Sequence, residues 1–116
     1  MSKEKNLPAV NLLELKPVRN LNWETLDDQR VALLIPKFRN RLAVKWLLPV
    51  LSKPQIRLKL DAYGSFVWSR CDGRTSVEEI GEAMSEKFGE ALDPLYERIG
   101  KFLRKLEHEK FLVLKK

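Results

Sequence analysis

The apolar positions of this chain change period twice, and each change predicts a change of element. Val31-Ala32-Leu33-Leu34-Ile35 is a continuous apolar run closed by Pro36 and preceded by Trp23, Thr25 and the turn-forming Asp27-Asp28-Gln29. β-Branched and aromatic residues suit a pleated surface, aspartate suits turns, and proline cannot continue a ladder, so residues 21–36 predict a hairpin. Ile56-Arg57-Leu58-Lys59-Leu60 alternates with period two. That is the pattern of a half-buried strand with Ile56, Leu58 and Leu60 on one face and Arg57 and Lys59 on the other.

From Asp61 onward the period is helical. Asp61 caps a short helix over residues 63–70, and Asp72-Gly73 ends it, glycine supplying a positive φ. Ser76 and Glu79 have the spacing of a capping box, in which each side chain takes the other residue's backbone N–H. Val77, Ile80, Met84 and Phe88 then line one helical face up to Gly89. Asp93-Pro94 predicts an N-cap followed by a first helical residue. Leu95, Ile99, Phe102, Leu103 and Leu106 form the stripe of the last helix, and Phe111-Leu112-Val113-Leu114 a short terminal strand.

Two segments fit these periods poorly. Residues 1–20 are weakly periodic between Pro8 and Pro17 and are expected to be an N-terminal arm, more loosely attached than an integral strand. Residues 37–53 form a basic insert in which Phe38, Leu42 and Trp46 recur at helical spacing before Pro49 and Pro54 intervene. The expected fold class is α+β: a winged helix-turn-helix, with a small antiparallel β-sheet followed by three α-helices and a short terminal strand. Residues 21–116 are expected to be one domain carrying the insert.

Composition narrows the function classes. The chain has 116 residues and a net charge of +6, unevenly placed. Residues 1–60 hold 12 Lys and Arg against 5 Asp and Glu, whereas residues 61–116 hold 10 against 11. The basic excess would attract phosphate, anionic lipid or acidic peptide without choosing among them. No apolar run reaches the roughly 20 residues of a membrane span, and the polar start predicts no secretory signal. The single cysteine, Cys71, excludes an internal disulfide and suits a cytoplasmic location.

Catalytic chemistry lacks its parts. His108 lies in a charged run, and Cys71 lies among apolar positions that favour a core role. One Cys and one His cannot make a zinc site, and the five glycines are too dispersed for a phosphate loop. The chain is therefore expected to be no enzyme and to carry no cofactor or metal of its own. Trp68 and Trp23 read as packing residues, while Trp46 covers a sheet or anchors a partner.

Leu60-Asp61, Gly64, Val67-Trp68, Cys71-Asp72-Gly73, Thr75-Ser76-Val77-Glu78-Glu79-Ile80, Phe102-Leu103-x-x-Leu106 and Phe111-Leu112 follow one another in an order that resembles the PqqD family of small peptide-binding modules. The resemblance covers residues 56–114. It implies a non-catalytic peptide chaperone, a recognition element that holds the leader segment of a ribosomally made precursor peptide by β-strand addition and presents it to a modifying enzyme, as in PQQ or related biosynthesis. The family's usual enzyme partner is a radical S-adenosylmethionine (radical SAM) protein, whose cluster would be its own. Carried onto this chain, the receiving edge is residues 55–60 and the groove wall residues 95–106. The implied peptide-binding residues are Ile56, Arg57, Leu58 and Lys59 on the strand, with Arg98, Ile99, Lys101, Phe102 and Lys105 on the helix. The five cations would suit an acidic leader.

Residues 1–20 and 37–53 depart from the family's compact pattern, so the particular pathway stays open. An exposed strand edge also permits a dimer. Two alternatives stand beside this reading: a winged-helix DNA-binding protein, disfavoured by Glu78, Glu79, Glu82 and Glu86 on the second helix, and a membrane-surface adaptor acting through residues 37–53.

Overall fold

The computed structural model describes residues 12–36, 55–89 and 94–116. The basic insert at 37–53, Trp46 and Asp93 lie outside the described residues. The element order is β1 (Lys16–Arg19), β2 (Trp23–Thr25), β3 (Val31–Pro36), β4 (Gln55–Lys59), α1 (Ala62–Ser69), α2 (Val77–Phe88), α3 (Leu95–His108) and β5 (Leu112–Lys115). The fold class is α+β, as expected, but its strands form two small antiparallel sheets, β1–β5 and β2–β3–β4. The chain divides into two compact units. One is Leu21–Asp61, the sheet unit; the other joins Met1–Asn20 to Ala62–Lys116, the helical unit.

In the helical unit α2 and α3 bury most of the stripes their sequence predicted, with Phe88, Leu95 and Phe102 half-buried. Val77 and Ile80 of α2, Leu103 of α3 and Trp68 of α1 are fully buried, with Met84, Ile99 and Leu106 nearly so. Ser76 accepts the Glu79 N–H at 3.1 Å, and Glu79 Oε1 accepts the Ser76 N–H at 2.9 Å, completing the capping box. Gly73 and Gly89 have φ of +81° and +69°, conformations that a Cβ would strain. The last helix starts differently from the expectation: Pro94 is itself the N-cap, extended at φ −78° and ψ 115°, and Leu95 is the first helical residue.

Lys16–Arg19 corrects the loose-arm reading for the described part of the first 20 residues, the rest of which lies outside the described residues. Residues 16–19 form an integral strand, paired with β5 from Lys16↔Lys115 to Arg19↔Leu112. The other side of β1 is also occupied. The Gly73 N–H donates to the Pro17 carbonyl at 2.9 Å, and the Arg19 N–H to the Cys71 carbonyl at 3.0 Å. The Arg19 guanidinium donates to the Trp68 and Ser69 carbonyls at 3.2 and 3.0 Å, adding a second donor to the Trp68 carbonyl, which also accepts the Cys71 N–H at 3.1 Å. Upstream, Leu12 is buried and lies against Gly100 of α3, where a Cβ would meet Leu12 Cδ2 at 3.0 Å.

In the sheet unit, β3 is the central strand. Its register sets Trp23↔Leu33↔Leu58 in one row and Glu24↔Ala32↔Lys59 in the next. The expected turn lies at 27–29, with Gln29 at φ 72° and the Asp28 carboxylate accepting the Arg30 N–H at 3.1 Å. Pro36 is the last described residue of β3 and lies opposite Gln55.

Candidate functional site: the β4 edge and the exposed face of α3

β4 has β3 on one side, and among the described residues no strand pairs with the other. Which backbone groups that second side presents follows from the ladder. The Leu60 N–H donates to the Val31 carbonyl at 2.8 Å, making Val31–Leu60 a bonded pair. Antiparallel pairing alternates bonded and non-bonded pairs, so Leu58 and Ile56 bond inward to Leu33 and Ile35. Arg57 and Lys59 then direct their N–H and C=O groups to the open side. The central strand obeys the same rule in the other direction, since the Leu34 N–H donates to the Asn22 carbonyl at 2.9 Å on the β2 side.

Side chains divide between the two faces of this sheet. Residues in register share a face, so Trp23, Leu33, Leu58, Ile35 and Ile56 stand on one and Glu24, Ala32, Lys59, Leu34 and Arg57 on the other. The strand was expected to be half-buried. Instead all five residues of β4 are exposed, Ile56 at 50 % and Leu58 at 44 %. Burial in this row belongs to the central strand, where Leu33 has no exposed surface. The alternation in β4 thus marks two chemically different faces and does not mark an inside and an outside.

The charged face has partners that the sequence reading missed. The Arg57 guanidinium lies 3.3 Å from the Glu24 carboxylate, and Lys59 Nζ lies 3.1 Å from the Asp28 carboxylate. The Arg57–Glu24 pair reaches across β3, where Ala32 offers only a methyl group, and Asp28 comes from the turn that joins β2 to β3. The Arg30 N–H, seconded by Lys59, holds the Asp28 carboxyl below the usual aspartate range. These four charged side chains line a shallow depression with Thr25 and Asp27. Opposite charge is visible in the sequence, but only the register tells which acid meets which base.

On α3, Arg98, Lys101 and Lys105 are exposed and Phe102 is half-buried. Spacings of three and four residues put all four on one side of the helix. Ile99 differs: it is 3 % exposed and belongs with Leu103 and Leu106 to the core stripe. β4 lies in the sheet unit and α3 in the helical unit.

Two other candidate residues resolve as structural. Cys71 is fully buried, its Sγ 3.2 Å from the Val67 carbonyl, and burial pushes its thiol up to about 12. A thiolate at neutral pH is thereby suppressed. Trp68 has no exposed surface and packs in the core. His108 is exposed in the last turn of α3. No helix among the described residues is long and apolar enough to cross a membrane.

The family model described as coenzyme PQQ synthesis protein D (PqqD) matches residues 52–112, more than half of the chain. That span runs from just before β4 into β5. No curated protein and no solved structure matches.

Proposed function

This chain belongs to the PqqD family, and on that premise we propose that it is a non-catalytic peptide carrier. It takes a ribosomally made precursor peptide as an added strand along β4 and presents it to a modifying enzyme, in the biosynthesis of PQQ or a related peptide-derived product. The enzyme is a radical SAM protein in this reading, and the setting is the cytoplasm. The observation that carries the proposal is the second side of β4, where Arg57 and Lys59 offer an outward donor and acceptor each and the described residues supply no strand. Strand addition uses such groups for affinity and the flanking side chains for choice of partner. The exposed face of α3 enters as a separate contribution, tested separately by Lys101→Glu. The winged-helix arrangement of the helices belongs to the same proposal. The DNA-binding alternative gains no support from α2, which exposes Glu78, Glu79, Glu82 and Glu86.

The direct test is calorimetry with synthetic leader peptides encoded beside this gene, using proline as a backbone probe. A proline at Leu58 would break the protein's own ladder, because that N–H bonds inward. A proline at Lys59 removes an outward donor and leaves the sheet intact, the setting in which strands tolerate proline. Lys59→Pro should abolish binding, while Lys59→Ala, which loses only the side chain, should weaken it less than about tenfold. Equal binding by the two variants, both folded by circular dichroism, would exclude strand addition at β4.

A further inference from the structure

If strand addition at β4 holds, the two faces of this sheet go further and specify the pattern of the guest. Neighbouring strands share faces residue by residue whether they run parallel or antiparallel. A guest beside β4 therefore sets every second side chain against Ile56 and Leu58, and the intervening ones against Arg57 and Lys59. The first set meets exposed hydrocarbon, at 50 % and 44 % exposure. The second set meets two cations that already hold carboxylates, Glu24 at 3.3 Å and Asp28 at 3.1 Å.

Those internal pairs are exposed. The side chains of Arg57 and Glu24 are 68 % and 35 % exposed, and those of Lys59 and Asp28 are 47 % and 48 % exposed. Pairs so open to water are weak and screened by salt. Neither acid comes from the open edge: Glu24 belongs to β2, across β3, and Asp28 to the turn that joins β2 to β3. An arriving carboxylate would approach Arg57 and Lys59 from the opposite side, so exchange needs a side-chain swing and no backbone movement. We infer that β4 selects a strand in which acidic and apolar residues alternate, and that Glu24 and Asp28 act as internal stand-ins for the guest's carboxylates, lowering its affinity until displaced. The inference rests on the strand-addition reading and adds to it a residue pattern and two specificity-setting residues.

The test uses short, end-capped, fluorescein-labelled peptides in which valine alternates with glutamate, glutamine or lysine. Binding to the full chain is read by fluorescence anisotropy, and amide exchange is followed at Arg57 and Lys59. The glutamate peptide should bind tightest and the lysine peptide weakest, each ion pair contributing up to about fivefold. The preference should shrink as salt rises and reverse in Arg57→Glu/Lys59→Glu. Removing the stand-ins by Glu24→Gln and Asp28→Asn should widen the glutamate-over-glutamine preference by up to about fivefold per site. Asn keeps the acceptor that the turn needs, and Glu24→Gln alone serves if the turn is disturbed. Equal binding of all three peptides, with the amides of Arg57 and Lys59 protected, overturns the inference and leaves strand addition standing. A glutamate-over-glutamine preference that Glu24→Gln does not widen refutes the stand-in role. No binding by any peptide, with those amides unprotected, removes strand addition and the inference together.

Discussion

The helical unit and the sheet unit use their strands in opposite ways. In the helical unit β1 is occupied on both sides, by β5 and by the loop at Cys71–Gly73, and its Pro17 is buried. The unit's helices place Trp68, Val77, Ile80 and Leu103 at zero exposure. In the sheet unit only the central strand is well buried. β4 keeps Ile56 and Leu58 in water, with exposed ion pairs on its other face. An open strand margin is an aggregation liability that proteins commonly guard with charge. Arg57 and Lys59 provide that guard here, and the same cations leave the margin usable by a partner of opposite charge. The contrast separates residues that hold a fold from exposed residues that the proposed function assigns to peptide binding.

The sharpest way to break this contrast is to truncate one large apolar residue in each unit. Trp68→Ala should destabilise the protein by about 3–5 kcal/mol, the cost of emptying a buried aromatic site, as read by denaturant unfolding. Leu58→Ala, at an exposed position, should cost less than about 1 kcal/mol while weakening peptide binding. If the two cost the same, β4 is part of a core and its edge is not a docking margin.

Smaller changes sharpen the same comparison within the helical unit. Gly81→Ala would normally favour a helix, but the Tyr96 ring occupies the space a Cβ needs, and its hydroxyl donates to the Glu78 carbonyl at 3.0 Å. Displacing it should turn the usual gain into a loss of about 1–2 kcal/mol. Ser76→Ala removes half of the capping box and should cost about 1 kcal/mol. Cys71 should resist iodoacetamide in the native protein at neutral pH and react on unfolding. Because its folded pKa is raised, its contribution to stability is complete below the ordinary thiol value and is lost as pH rises above it.

The smallest effect is acidic. The Arg74 and Thr75 N–H groups hold Asp72 below its usual range, and the Arg30 N–H does the same for Asp28. A depressed folded pKa contributes stability that is present above the ordinary aspartate value, about 3.9, and fades as pH falls through the folded value. Asp72→Asn should flatten the fall of the thermal midpoint below about pH 4.

Much of the helical unit was legible because its signals are local. A capping box needs only Ser76 and Glu79, a helix stop needs only Gly89, and a stripe needs only its spacing. The strand at Lys16–Arg19 was not legible, for the opposite reason. Lys16–Arg19 form a strand because β5, nearly a hundred residues away in sequence, lies alongside them, and nothing in their own pattern marks that pairing. The expected peptide-binding residues fared in between. Period two placed Arg57 and Lys59 together on one face of β4, but their ion partners Glu24 and Asp28 were invisible without the register. Ile99 and Phe102 follow one stripe, and only packing separates the buried first from the half-buried second.

By itself the amino-acid order determined where helices start and stop, which strand alternates, and the ordered set of residues that places the chain in its family. Backbone sterics and hydrogen bonds over a few residues are enough for that. Tertiary structure alone decided that β1 is held on both sides, that among the described residues no strand pairs with the second side of β4, and that Arg57 and Lys59 pair with Glu24 and Asp28. Strand pairing and burial depend on residues distant in the chain, and no local pattern carries the distance between them.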